Sequence, residues 1–240
     1  MNEKRFDECI IKYANKETKY NIGTYQEKTL HKVIKNYYCE DINYQEVKVG
    51  KVISDICIDN NIFEVQNGNF NKLVPKLKEY GDNYNVNIIY PIPYEKYIYW
   101  LDPDTGEVKD IRKSPKKGTI YDSFKELYKI KWFLPKPNIH IILLLIDVIE
   151  YRNLNGWNDT KKRGSTRHDR IPKKLIDEIT INDFHMFIPN GLPKEFTSND
   201  YKKFIKRRIN DARTGLTILQ YLDIIEVIRK EGKKNIYRVK

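Results

Sequence analysis

The segment Ser54-Asp55-Ile56-Cys57-Ile58-Asp59-Asn60-Asn61-Ile62-Phe63-Glu64-Val65-Gln66 constrains the fold more than any other stretch of the chain. It sets β-branched and aromatic residues on both sides of an Asn pair, the composition of a hairpin. Asn60-Asn61 suits a two-residue turn, because Asn tolerates the positive φ that such turns need. That turn pairs Asp59 with Ile62, Cys57 with Glu64 and Asp55 with Gln66. Side chains alternate along a strand, so Asp55, Glu64 and Gln66 project from one face. A three-residue loop would divide them between the two faces, so the constellation rests on the register.

Burying two carboxylates and an amide on one face is costly unless something pairs with them. A hard divalent cation is one such partner. Mg2+, with Mn2+ as a substitute, takes oxygen ligands, commonly one or two carboxylates plus water. An ion held there can activate a water and neutralise charge developing on a phosphodiester.

The flanking pattern is mixed. Residues 1–20 are polar and read as a short helix or arm. Thr24-Tyr25-Gln26-Glu27 has the form of a capping box, with Leu30, Val33, Ile34 and Tyr37 following at helical spacing. A helix is expected over about 71–80, and a strand over 86–90 ending at Pro91. A second hairpin is expected from Tyr97 through the turn Asp102-Pro103-Asp104-Thr105-Gly106. A helix near 122–131 precedes an apolar stretch, 138–150, that reads as a buried strand. The polar, basic stretch 156–170 reads as a surface loop.

Asp, a short turn, then Glu-x-Gln on the next strand resembles the PD-(D/E)XK, or restriction-endonuclease-like, superfamily in its Glu-x-Gln variant. The order helix, hairpin, helix, strand around the motif resembles that superfamily's core over residues 22–150. The resemblance implies that Asp55 and Glu64 ligate the metal, with the Val65 carbonyl as a third ligand and Gln66 orienting the attacking water. It also implies that Glu27, on the preceding helix, faces the metal; Glu27 reads equally as the partner of Thr24 in a cap. The pattern departs from the family in two places, with Ser54 for Pro and Gln66 for Lys. Gln lends no positive charge, so stabilisation of the transition state would fall to the metal and to nearby Arg or Lys. His31 reads as a packed histidine rather than a catalytic base.

A net charge of +11 over 240 residues favours a polyanionic partner, and nucleic acid is the commonest one. Two basic runs are candidate phosphate contacts, Lys116 and Lys117 in one and Lys162, Arg163, Arg167 and Arg170 in the other; such runs are also common as solvated loops. The three cysteines are widely spaced and form no Cys-x-x-Cys pair, which fits a reducing cytoplasm. No apolar run is long enough to span a bilayer and no secretory signal is evident, so a cytoplasmic protein is expected.

From Asp183 to Lys240 there are 13 Lys+Arg and 7 Asp+Glu, a net of +6. A helix capped by Ser198 is expected to run to about Ile205, followed by a longer one over 207–222. Ile209, Ala212, Leu216, Leu219 and Leu222 form the expected buried stripe. Lys206, Asn210, Arg213, Thr217 and Gln220 lie on the opposite face, and such residues can read base edges. A strand pair then flanks a basic turn holding Lys233 and Lys234. This order resembles a winged helix, whose second helix typically enters the major groove; a winged helix used for protein contacts has the same pattern. Gly215, inside the longer helix, suggests a bend or a close approach of DNA.

The expected architecture is therefore α/β (α+β): a restriction-endonuclease-like mixed-sheet domain over 1–182 and a small winged-helix domain over 183–240. The function it implies is Mg2+-dependent cleavage of double-stranded DNA, in restriction, repair or mobile-element biology. A homodimer is expected by analogy, since double-strand cutting commonly uses two active sites. The reading from another class is a non-catalytic winged-helix regulator with a nuclease-like domain. An RNA nuclease fits less well with a double-strand groove reader.

Overall fold

A computed structural model describes residues 1–14, 28–102, 104–153 and 167–240. The fold is α+β, with a large mixed sheet and six helices among the described residues. Helices α1 (Glu3–Tyr13) and α2 (Thr29–Tyr38) pack together through Phe6 and the Tyr37 ring, edge to face. The capping box proposed for Thr24 to Glu27 lies outside the described residues.

Strands β1 (Gln45–Val49), β2 (Val52–Ile58) and β3 (Asn61–Val65) follow. Helix α3 (Leu73–Tyr80) then crosses to β4 (Asn85–Leu101), and β3 pairs β4 in parallel from Asn61–Asn85 to Val65–Ile89. A parallel pair needs such a crossover. Leu73, Leu77 and Tyr80 are its buried stripe, and Gly81 at φ +57 ends it.

Two sequence expectations change in this region. The turn is Asp59-Asn60 rather than Asn60-Asn61, because Ile58 pairs with Asn61, Cys57 with Ile62 and Ile56 with Phe63. Asp59 takes the positive φ, +52, a conformation Asp tolerates as Asn does. The strand expected to stop at Pro91 instead runs on through Pro91 and Pro93 to Leu101. Both prolines fall between the β3 ladder, which ends at Ile89, and the β5 ladder, which begins at Tyr97, so neither is asked for an amide proton by those partners.

Strand β5 (Val108–Lys113) pairs antiparallel with β4, as the expected second hairpin requires; Pro103 in its turn is outside the described residues. The helix expected near 122–131 is one α turn, α4 (Phe124–Leu127), between two 3-10 turns. Strand β6 (Ile139–Asn153) matches the buried strand and extends it. Strand β7 (Arg167–Ile181) corrects the expected loop: Arg167 and Arg170 stand in a strand. The sheet order is β1-β2-β3-β4-β6-β7, with β5 on β4.

After β7 come β8 (Glu195–Phe196), α5 (Ser198–Ile205), α6 (Ile209–Tyr221), β9 (Ile225–Glu231) and β10 (Lys234–Val239), with the strands ordered β8-β10-β9. The cap of α5 is Thr197, not Ser198: its hydroxyl accepts from the Asp200 amide while the Asp200 carboxylate accepts from the Thr197 amide. Ala212, Leu216 and Leu219 are buried as expected, joined by Gly215 and Ile218. Gly215 is buried and does not face outward. A Cβ there would lie 2.3 Å from the Phe124 ring, so its role is close packing on α4.

The described chain forms two compact units. One holds residues 1–45, 91–119 and 144–178, and the other holds 46–90, 120–143 and 179–240. Strands β4, β6 and β7 each contribute residues to both.

Candidate active site

The carboxylate pair lies in the second unit, on the hairpin β2–β3 beneath α3. The observed register differs from the expected one by two residues, which leaves every side chain on its expected face. Continued along the strands, it sets Asp55 opposite Glu64. Both are buried, Glu64 completely. Asp55 Oδ2 accepts the Val65 amide proton at 2.7 Å, a bond that ties the two strands through a side chain.

The partner of Glu64 comes from α3. Lys76 Nζ donates to Glu64 Oε2 at 2.7 Å and to Oε1 at 3.0 Å, and lies 3.9 Å from Asp55 Oδ1. The Tyr80 hydroxyl donates to Glu64 Oε1 at 2.5 Å. Lys76 and Tyr80 are four residues apart and so share one helical face. Burial, and next the charge of Asp55, push the Glu64 carboxyl up to about 7, against the pull of Lys76 and Tyr80. Burial and Glu64 raise the Tyr80 hydroxyl well above its ordinary value, so it stays a donor.

One ammonium thus stands within reach of two buried carboxylates. Sequence reasoning found the carboxylates and missed Lys76 and Tyr80. The available signal was the spacing of Lys76 and Tyr80 beside the apolar stripe of α3, which becomes informative only once that helix is set against the hairpin. Gln66 continues β3 through its amide, which donates to the Ile89 carbonyl at 2.9 Å. Its side chain is half-buried, next to Asn67, whose Oδ1 is buried without a hydrogen-bond partner among the described residues. Glu27 lies outside the described residues. Among those residues, no three His, Cys, Asp or Glu side chains converge as a metal-binding group.

The basic residues fall in separate places. Lys116 and Lys117 are exposed, and Lys117 pairs with Glu95 at 3.1 Å and lies over the Tyr94 ring. Lys162 and Arg163 lie outside the described residues. Lys206, Asn210, Arg213, Thr217 and Gln220 are all exposed, as the helical spacing predicts, with Lys206 at the left-handed end of α5 rather than in α6. The Thr217 hydroxyl is turned onto its own helix, bonding the Arg213 carbonyl. Lys233 and Lys234 are exposed at the β9–β10 turn.

Residues 28–182 match the family described as "Domain of unknown function (DUF8091)". The chain belongs to the DUF8091 family. The matched region of this DUF8091 chain holds Asp55, Glu64, Lys76 and Tyr80, while α5, α6 and the three-stranded sheet lie beyond it. A Treponema pallidum (strain Nichols) protein named "Uncharacterized protein" is 31% identical over 144 residues, 59% of this chain and 57% of that protein. The chain therefore spans a little over half the length of that relative. No solved structure matches it. No helix among the described residues is long and apolar enough to cross a membrane.

Proposed function

We propose that this DUF8091 chain is a metal-dependent DNA endonuclease of restriction type, built on a PD-(D/E)XK-like domain over 1–182 with a winged-helix domain over 183–240. The observation that carries the reading is the buried pair Asp55 and Glu64 on neighbouring strands, in the order β1-β2-β3-α3-β4, with one cationic nitrogen already beside both.

The donor set suits a hard cation in kind. Asp55 and Glu64 offer carboxylate oxygens, the chemistry Mg2+ or Mn2+ selects, and the Lys76 ammonium marks the place between them as one that favours positive charge. Asp55 and Glu64 would hold the ion, with the Val65 carbonyl and water completing its shell. When bound, Mg2+ or Mn2+ supplies an acidified water and a counter-charge for the phosphoryl oxygens.

The chain's own residues do the rest. Tyr80 holds the Glu64 carboxylate in place through its short hydrogen bond. Lys76 supplies the positive charge that Gln66 cannot, and turns from the carboxylates toward the scissile phosphate when they take another partner. Gln66 orients the attacking water. The exposed face Asn210, Arg213, Thr217 and Gln220, with Lys206, meets double-stranded DNA in the major groove, and Lys233 and Lys234 meet its backbone. Lys116, Lys117, Lys162 and Arg163 add phosphate contacts, and a homodimer would bring two sites to one duplex.

The test is cleavage of methylated and unmethylated duplex DNA in Mg2+ or Mn2+ against EDTA. Asp55→Ala and Glu64→Ala are each expected to lower cleavage by at least 10³-fold while duplex binding persists. Absence of cleavage with every DNA and both metals would remove the enzyme reading. The second reading is a non-catalytic winged-helix DNA-binding regulator. It is favoured by the closure of the site, since Lys76 and Tyr80 already satisfy both Glu64 oxygens.

A further inference from the structure

Glu150, on β6, is fully buried and ringed by more positive charge than it can balance. Arg170 Nε donates to Glu150 Oε2 at 2.7 Å, and Arg152 Nε to Oε1 at 2.6 Å. Lys96 Nζ lies 3.8 Å from Oε1, and Arg167 Nη1 lies 3.9 Å from Oε2. The four cations come from β4, β6 and β7, so the sheet fixes them, and all belong to the first unit. Among the described residues, Asp169 is the one other carboxylate at hand; it accepts from the Thr29 hydroxyl and from the Arg170 amide. Among the described residues, four cations therefore meet two carboxylates.

Their exposure decides what this excess means. The side chains are 22% exposed at Lys96, 28% at Arg152, 39% at Arg167 and 17% at Arg170. These values are too low for water to screen the charges freely, yet they leave donors within a ligand's reach. Burial weakens the charged forms of Lys96 and Arg167 alike, while mutual repulsion among the cations adds to the effect. Such a group is stable with one more anion than the described residues provide. Arginine forks favour an oxyanion with several acceptor oxygens, which is a phosphate. Trp100, on the same face of β4 as Lys96, has a buried indole N–H without a hydrogen-bond partner among the described residues, a further donor on that face.

We propose that Lys96, Arg152, Arg167 and Arg170, preorganised by Glu150, form a phosphate-binding pocket that grips a phosphodiester of the nucleic-acid strand. Glu150 is a positioning residue: it holds the guanidinium groups in one place and leaves their outer donors to the ligand. The proposal rests on the DNA-binding reading for its ligand's source, but not on cleavage.

The experiment uses the full chain in EDTA, where no cleavage occurs. Anisotropy of a labelled duplex is measured against salt for the wild type and for Lys96→Gln and Arg167→Gln, which spare the two shortest ion pairs. Each variant is expected to bind about tenfold more weakly, and to lose about one unit from the slope of log affinity against log salt. A second arm follows thermal unfolding with inorganic phosphate at constant ionic strength, and Glu150→Gln is read in the same assay. Wild type is expected to be stabilised by phosphate. Glu150→Gln, with more uncompensated positive charge, is expected to gain a larger rise in melting temperature even if it starts lower. Stabilisation by phosphate with unchanged duplex binding would keep the pocket and make free phosphate its ligand. No response to phosphate, together with wild-type duplex affinity and salt slope in both variants, would overturn the proposal.

Discussion

Lys76 is 22% exposed and Glu64 not at all, and that inequality determines what a substitution at either one costs. Replacing Lys76 by Met removes the only cation bonded to Glu64 among the described residues, and leaves a buried carboxyl with the Tyr80 hydroxyl alone. Breaking a buried pair from one side costs several kcal/mol, and the partial exposure of Lys76 together with the ease of protonating Glu64 places this case lower, at about 2 kcal/mol. Adding Glu64→Gln removes the orphaned charge. The double variant is expected to recover at least half of the loss, a coupling of about 1 kcal/mol or more in urea denaturation of the metal-free protein. Additive losses would show that the ammonium is not what holds Glu64.

Elements differ in how much of their environment is written in their own residues. Helix α6 shows this at Gly215. The apolar spacing around it predicts the buried stripe, and the four polar positions of α6 opposite, Asn210, Arg213, Thr217 and Gln220, are exposed as that spacing requires. What faces Gly215 cannot be known from the helix, because Phe124 lies about ninety residues earlier and its ring sits where a methyl group would go. Gly215→Ala should therefore gain the helix propensity of Ala, about 1 kcal/mol, and lose more through overpacking, about 1–3 kcal/mol. The net loss should disappear, or reverse, in a Phe124→Leu background. Equilibrium unfolding of the four chains measures it, and a stabilising Gly215→Ala in the wild-type background would contradict the packing described. The hairpin β2–β3 was legible because alternation is a property of the segment itself, and a one-residue shift of its turn, which moves the register by two, left the faces intact. Strand β7 was not. Arg167-His168-Asp169-Arg170 reads as solvent-facing, and it is Glu150 on the neighbouring strand that holds the charges of Arg167 and Arg170 in a sheet. Lys76 was hidden for the same reason, one lysine among the many of a basic chain.

At the scale of the whole molecule, buried charge makes folding depend on pH. Burial on its own raises the Glu150 carboxyl, but Arg170, Lys96 and Arg152 more than offset it and hold the group at about 2. The unfolded chain titrates such a group near 4.3. A folded value below the unfolded one means stability that is present above about pH 4.3 and lost as pH falls toward 2. The expected loss is about 3 kcal/mol. Unfolding free energy measured between pH 6 and pH 2.5 should fall along this limb, and Glu150→Gln should flatten it while lowering stability at neutral pH. An unchanged acid limb in that variant would mean that other carboxylates dominate.

The prolines of β4 also bear on the whole molecule. Pro91 and Pro93 lie between two ladders, and the Gly118 amide donates to the Tyr94 carbonyl beside them, with no room for a Cβ, which would lie 2.1 Å from the Pro93 oxygen. A strand from another chain seeking to pair at this stretch would find amide donors missing and the nearest acceptor already engaged. In a protein rich in long, apolar strands, that is protection against edge-to-edge aggregation, placed where the central strand changes partners.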